Sequence, residues 1–225
     1  MTGRERAQRA FEWFRAERPV VETELHYRTP FEFAVAVVLT AQCTDVRINM
    51  VTPELFRHYP TPGMMKEASE EEVFELIRSV TYPNSKARHL IALAKALDED
   101  YGGELPRDMR ELVKLPGVGR KTANVLRSVL FKENAIAVDT HVYRVSRRIG
   151  LVPMTANTPE KVEKKLMAVV PQEFLPNAHH WLLLHGRYTC TARKPQCESC
   201  GLTDICKYYQ KRIDHQTKDQ SLIAD

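Results

Sequence analysis

The sequence predicts an all-α protein. Apolar residues recur at helical spacing along most of the chain, while strand-like alternation is nearly absent; residues 135–138 are too few to build a sheet. Caps, prolines and glycines also stand where helices should start and stop. The opening MTGRERAQRAFEWFRAERP is charged and helical, with Trp13 and Phe14 on a core-facing side. Residues 31–39 (FEFAVAVVL) form an apolar helix beginning just after Pro30. Thr52-Pro53 and Tyr59-Pro60-Thr61-Pro62-Gly63 punctuate the chain next. Ser69 and Glu72 make a capping box ahead of VFELIRSV. Asn84-Ser85-Lys86 opens the run ARHLIALAKALDEDYGG, which Gly102-Gly103 closes. Helices are predicted over 108–114, 120–131, 140–149, 159–170 and 178–184, with Thr158-Pro159 as N-cap and first-turn proline. Trp181 and Leu182-Leu183-Leu184 read as core packing, and the polar stretch after Arg212 is expected to fray.

The chain has 225 residues, enough for one large domain or two small ones, and 43% hydrophobic content, as in globular proteins. No run approaches the roughly 18 apolar residues that span a membrane, and the N-terminal segment lacks the apolar core of a signal peptide. A cytoplasmic protein is expected. The net charge of +4, from 33 basic and 29 acidic residues, is a weak argument for nucleic acid. Its distribution says more. Residues 187–212 carry Arg187, Arg193, Lys194, Lys207, Lys211 and Arg212 against Glu198 and Asp204, a gathering that suits either a phosphate backbone or a solvated face.

The same segment holds Cys190, Cys197, Cys200 and Cys206 at C-x6-C-x2-C-x5-C spacing. Four soft thiolates so close together can hold an iron–sulfur cluster or zinc. The spacing is not that of a zinc ribbon, which pairs two C-x2-C units across a longer stretch. A disulfide framework is not expected in a reducing compartment. Between the two metals the spacing does not choose.

Residues 115–123 read Leu115-Pro116-Gly117-Val118-Gly119-Arg120-Lys121-Thr122-Ala123. Two glycines around one valine, between two helices, make a tight hairpin. The helix that follows presents unpaired N–H groups and its positive dipole end, suited to a DNA phosphate. Lys121-Thr122 matches the end of a P-loop, but Arg120 stands where that motif needs glycine.

LPGVGRKTA resembles the helix-hairpin-helix of the endonuclease III family of DNA glycosylases. Val138-Asp139-Thr140-His141-Val142 resembles that family's aspartate segment, and further segments match at Ala41-Gln42-Cys43-Thr44-Asp45, HHWLLLHGRYTC and ARKPQCESC. The resemblance covers roughly residues 5–212. It implies a two-lobed helix-hairpin-helix glycosylase fold: a six-helix barrel over 23–133, and a second lobe joining 1–22 to 134–212 and carrying a [4Fe–4S] cluster on the four cysteines. Residues 213–225 are expected to form a flexible tail, and the DNA cleft would lie between the lobes.

The chemistry implied is excision of oxidised or ring-saturated pyrimidines from duplex DNA by a monomer, followed by strand cleavage at the abasic site. The target base must first leave the stack. Lys121 is the expected nucleophile. An amine attacks C1′ only when neutral, a state that cationic neighbours, a helix N-terminus and desolvation all favour. Asp139 would stabilise positive charge on the sugar and move protons, although an Asp before Thr140-His141 also reads as a helix N-cap. His141 would orient the aspartate, contact a phosphate or sit in the core. Gln42 would enter the gap left by the flipped base, unless it is simply a polar residue at a helix end. Where many relatives have glycine and a bulky apolar residue, this chain has Thr81-Tyr82-Pro83, so Tyr82 becomes the candidate second wedge. Gly117, Val118, Gly119, Arg120 and Thr122 are expected at DNA through the hairpin, and Arg193 and Lys194 through the loop pinned by Cys190 and Cys197. Cys43 reads as a small buried residue.

Three rivals are weaker. The family's adenine-removing branch lacks the lysine and places a glutamate in the helix before the glutamine loop, where this chain has only Glu32 at the helix start. A non-catalytic DNA-binding module needs neither Lys121 nor Asp139, and a monofunctional glycosylase of the same fold is the alternative within it. An electron carrier has no use for so large a helical body.

Overall fold

The computed structural model describes the backbone of residues 1–221, with side chains through residue 214. The chain divides into two compact units, Thr23–Glu133 and a second made of Met1–Glu22 with the chain from Asn134 onward. Both are helical, and among the described residues no helix is long and apolar enough to cross a membrane.

The unit from Thr23 to Glu133 contains α2 (Pro30–Leu39), α3 (Asp45–His58), α4 (Pro62–Met65), α5 (Glu70–Ile77), α6 (Pro83–Tyr101), α7 (Met109–Leu112) and α8 (Arg120–Leu130). The resemblance implies six helices here; of these seven, α4 and α7 are single turns. Helix α2 is buried from Phe31 to Leu39, as its apolar sequence after Glu32 requires, and packs on α3, α6 and α8. Thr29 caps it and Pro30 opens its first turn. Ser69 and Glu72 form the expected capping box: Ser69 Oγ accepts from the Glu72 N–H at 3.2 Å, and Glu72 Oε2 accepts from the Ser69 N–H at 2.9 Å.

Of the two breaks expected at prolines, that at Thr52-Pro53 is helix instead, while that at Tyr59-Pro60-Thr61-Pro62-Gly63 falls between α3 and α4. Pro53 lies inside α3, which starts at a Thr44 cap. Proline removes one donor from the ladder, and the Thr52 hydroxyl, buried beside it, donates to the Ile48 carbonyl at 3.0 Å. Pro62 occupies the first turn of α4 behind a Thr61 cap, a position where its missing N–H is no loss.

The other unit contains α1 (Gly3–Glu17), α9 (Thr140–Ile149), α10 (Pro159–Val169), α11 (Leu175–Tyr188) and α12 (Lys207–Ser221). Its core includes Phe11, Phe14, Phe174 and Trp181, whose rings meet at centroid distances of 5.6 to 6.1 Å. Trp181 satisfies its indole N–H on the Arg18 carbonyl at 2.9 Å. Leu182 and Leu184 are buried beside it. Helices α9 and α11 lie close because position 186 is glycine: a Cβ there would stand 2.8 Å from His141 Cβ. The fraying expected after Arg212 is not seen through 221, where α12 continues; its sequence has no glycine or proline to stop it. Residues 222–225 of the expected tail lie outside the described residues.

Candidate active site and cluster loop

At the hairpin, α7 leads through residues 113–119 into α8. Gly117 needs to be glycine twice over. Its φ is +78°, and a Cβ would come within 3.0 Å of Val38 Cγ1 on α2 and 3.3 Å of His89 Cβ on α6. Gly119 differs: it is extended (φ −87°, ψ 176°), caps α8 without a side chain, and a Cβ there would meet nothing within 4 Å. Its lack of a side chain leaves the start of α8 open to an incoming group. Arg120 and Lys121 are exposed in that first turn and Thr122 is half-buried. Lys121 makes no hydrogen bond or ion pair among the described residues.

Val118 corrects the sequence expectation. Its side chain is buried, 4% exposed, and its N–H donates to the Leu115 carbonyl at 3.0 Å. Neither group is available to DNA; Val118 anchors the hairpin in its unit. The sequence places an apolar residue between two glycines, which reads equally as tip or anchor.

Gln42 follows α2 and Tyr82 precedes α6, both exposed. The structure joins these segments, since the Thr81 hydroxyl donates to the Gln42 carbonyl at 2.9 Å. Gly117 touches the same two helices, α2 and α6. Cys43 is half-buried rather than buried. Glu32 is committed to the fold: its carboxylate accepts from the Arg28 N–H at 2.6 Å.

Asp139, in the other unit, is the N-cap of α9. Its Oδ1 accepts from the Val142 N–H at 2.7 Å, and its Oδ2 has no hydrogen-bond partner among the described residues. It is half-buried and follows the buried segment 135–138, whose Ala137 carbonyl lies 2.8 Å from Nδ1 of the buried His179. His141 is half-buried, its Nδ1 3.2 Å from Arg144 Nη2.

The four cysteines line one pocket, together with Ile149, His185, Pro195 and Leu202. All are free thiols. Burial, followed by the neighbouring cysteines, pushes the Cys200 and Cys206 thiols above the usual range, against the pull of backbone N–H bonds from Leu202 to Cys200 and from Tyr209 and Tyr208 to Cys206. Those N–H donors suit ligating thiolates. Among the described residues no three His, Cys, Asp or Glu side chains converge as one ion would require. All four cysteines instead line the same pocket, and four thiolates are a donor set suited to an iron–sulfur cluster.

Sequence reasoning gave no role to Arg144 and Arg148, which position the loop. Arg144 donates to the Cys190 carbonyl at 3.1 Å and the Gly186 carbonyl at 2.8 Å. Arg148 donates to the Thr191 and Ala192 carbonyls at 2.7 and 2.9 Å, and its Nη1 lies 3.5 Å from Cys190 Sγ. Their spacing, four apart on a helix, puts them on one face, but nothing local names the distant loop they reach. Arg193 and Lys194 then project exposed from it.

An all-α body, a glycine hairpin ahead of an open helix start and a four-cysteine loop define a helix-hairpin-helix DNA repair glycosylase with an iron–sulfur binding domain. Comparison agrees segment by segment. Residues 35–172 match the model of the HhH-GPD superfamily base excision DNA repair proteins, and residues 190–206 that of the iron–sulfur binding domain of endonuclease III. The chain is 47% identical over 203 residues to endonuclease III of Rickettsia felis, covering 90% of this chain and 94% of that one. It is 50% identical over 194 residues to endonuclease III of Bacillus subtilis, covering 86% and 88%. A solved trapped endonuclease III–DNA covalent intermediate, an estranged-adenine complex, superposes with TM-score 0.88 at 44% identity, covering 95% of this chain and all of that one. The chain belongs to the endonuclease III family. It is a bifunctional DNA glycosylase and AP lyase.

Proposed function

We propose that Lys121 is the nucleophile and Asp139 its acid–base partner in removing oxidised or ring-saturated pyrimidines from duplex DNA. With the damaged nucleotide out of the stack, the neutral Lys121 amine attacks C1′ as the C1′–N bond breaks, and the base leaves with a proton. The adduct collapses to an imine. Loss of a C2′ proton then expels the 3′ phosphate by β-elimination. The Asp139 carboxylate stabilises positive charge at C1′ and moves protons. Its unbonded Oδ2 is the oxygen for this work, since Oδ1 is held by the Val142 N–H.

The observation that carries this reading is the exposure of Lys121, unpaired among the described residues, in the open first turn behind the hairpin. The 44%-identical relative caught as a covalent DNA intermediate supports it. Gln42 and Tyr82 enter the duplex, the hairpin's Gly117, Gly119, Arg120 and Thr122 hold phosphate, His141 borders the aspartate, and Arg193 and Lys194 meet the backbone. Cys190, Cys197, Cys200 and Cys206 hold a [4Fe–4S] cluster, which when bound ties the loop at four points. The protein works as a cytoplasmic monomer on nucleoid DNA.

Borohydride trapping on a duplex with one thymine glycol tests the assignment. Wild type is expected to give a covalent protein–DNA band, and Lys121→Ala none, with β-elimination lost and DNA binding kept. A band or continued β-elimination in Lys121→Ala rules out Lys121. No band in wild type, with an abasic duplex also uncleaved, leaves a monofunctional or non-catalytic protein.

A further inference from the structure

Gln42 and Tyr82 sit on separate loops, yet both hold a backbone that side chains rarely adopt, with φ of 55° and 57°. Left-handed residues other than glycine persist only where their surroundings hold them. Two clamps do so here. Thr81, next to Tyr82, donates its hydroxyl to the Gln42 carbonyl at 2.9 Å. Lys86, in the first turns of α6, reaches the end of α2 and donates to the Leu39 and Ala41 carbonyls at 2.8 and 2.7 Å.

The second clamp is unusual chemistry for a lysine. Lys86 is 5% exposed, and burial holds its ammonium below the usual lysine range. Its hydrogen bonds among the described residues all go to these two carbonyls. Leu39 ends α2 and Ala41 lies two residues beyond it, where backbone acceptors lack helical partners and the dipole favours a cation. The ammonium is thus committed to the fold rather than to a phosphate. Both clamps tie the segment around Tyr82 to the segment around Gln42, from Thr81 just before Tyr82 and from Lys86 just after it.

We infer that Thr81 and Lys86 are positioning residues that lock the Gln42 and Tyr82 loops into one preformed wedge before DNA arrives. This rests on the proposed role of Gln42 and Tyr82 in the duplex. A wedge ordered by folding need not be ordered at binding, so base displacement proceeds without that entropy loss.

The test compares β-elimination at an abasic site in duplex DNA with the same site in single-stranded DNA, where no base is displaced and no partner strand is present. Variants are Thr81→Val, Thr81→Ser and Lys86→Met, with Gln42→Ala and Tyr82→Ala as references. Thr81→Val and Lys86→Met are expected to lower duplex kcat/KM by about tenfold, the scale of one or two hydrogen bonds, and to leave single-strand cleavage unchanged. Thr81→Ser keeps the hydroxyl and should match wild type. Fluorescence of 2-aminopurine opposite an abasic analogue should rise less in the two clamp variants. Equal losses on both substrates, or no loss in Thr81→Val, would overturn the inference; position 81 is exposed, so that variant reads out even if Lys86→Met fails to fold. If Gln42→Ala and Tyr82→Ala change the duplex-to-single-strand ratio while the clamp variants do not, only the clamp is wrong. If the reference variants also leave the ratio unchanged, the wedge reading falls with it.

Discussion

In the proposed mechanism Asp139 has two jobs on two oxygens: Oδ1 caps α9, and Oδ2 is left for chemistry. The jobs separate by substitution. Asparagine caps as well as aspartate, so Asp139→Asn should keep stability within about 0.5 kcal/mol, while alanine, with no cap, should cost about 1 kcal/mol. Both variants lose the charge, and base release should fall by about a hundredfold or more in each. Thermal unfolding beside single-turnover kinetics checks this; a normal rate in Asp139→Asn would show that Oδ2 does not act at the sugar. The cap was legible in the sequence, because an N-cap bonds only to the next turn. Lys86 is the opposite case: NSKA is plain to read, but its acceptors lie 45 and 47 residues away and nothing in the local pattern names them.

Among the elements, the hairpin shows two glycines with different reasons to exist. Gly117→Ala forces a side chain into a left-handed backbone and against Val38 and His89, and should destabilise by about 1–3 kcal/mol. Gly119→Ala meets ordinary φ and open space, so stability should barely change while DNA affinity falls. Chemical denaturation and binding isotherms on the two variants distinguish these effects; unaltered affinity in Gly119→Ala would take the start of α8 out of the interface. Sequence reading assigned both glycines one turn-forming role, because the contact with α2 and α6 that separates them is tertiary. The same limit explains α3. Thr52-Pro53 reads as a stop, yet the helix passes through it, giving up only the donor that Pro53 lacks.

Across the whole molecule, the chain leaves one unit after Glu22, builds Thr23–Glu133, and returns at Asn134. The cysteine loop belongs to the unit made from the two ends of the chain, where Cys190 and Cys200 pack against a core shared by α1, α9, α10 and α11. Anaerobic loss of the cluster should therefore free backbone amides over 190–206 and lower protection in α9 and α11, with exchange in 23–133 unchanged. Hydrogen exchange read by mass spectrometry checks this, and equal deprotection of 23–133 would contradict two separate cores.

Local chemistry was enough to read helical class, most helix starts, the hairpin and the four-cysteine spacing. Each depends on residues within a few turns of one another, where capping, backbone freedom and side-chain period act. Resemblance to a family supplied the roles proposed for Lys121, Asp139 and Gln42. What had to wait for the folded chain were the side chains that work at a distance: Arg144 and Arg148 on the cysteine loop, Lys86 and Thr81 on the paired loops, and the burial of Val118. The reason is physical. Long polar side chains can satisfy their donors on whatever carbonyl the fold brings near, and that carbonyl is chosen by packing between helices, not by neighbours along the chain.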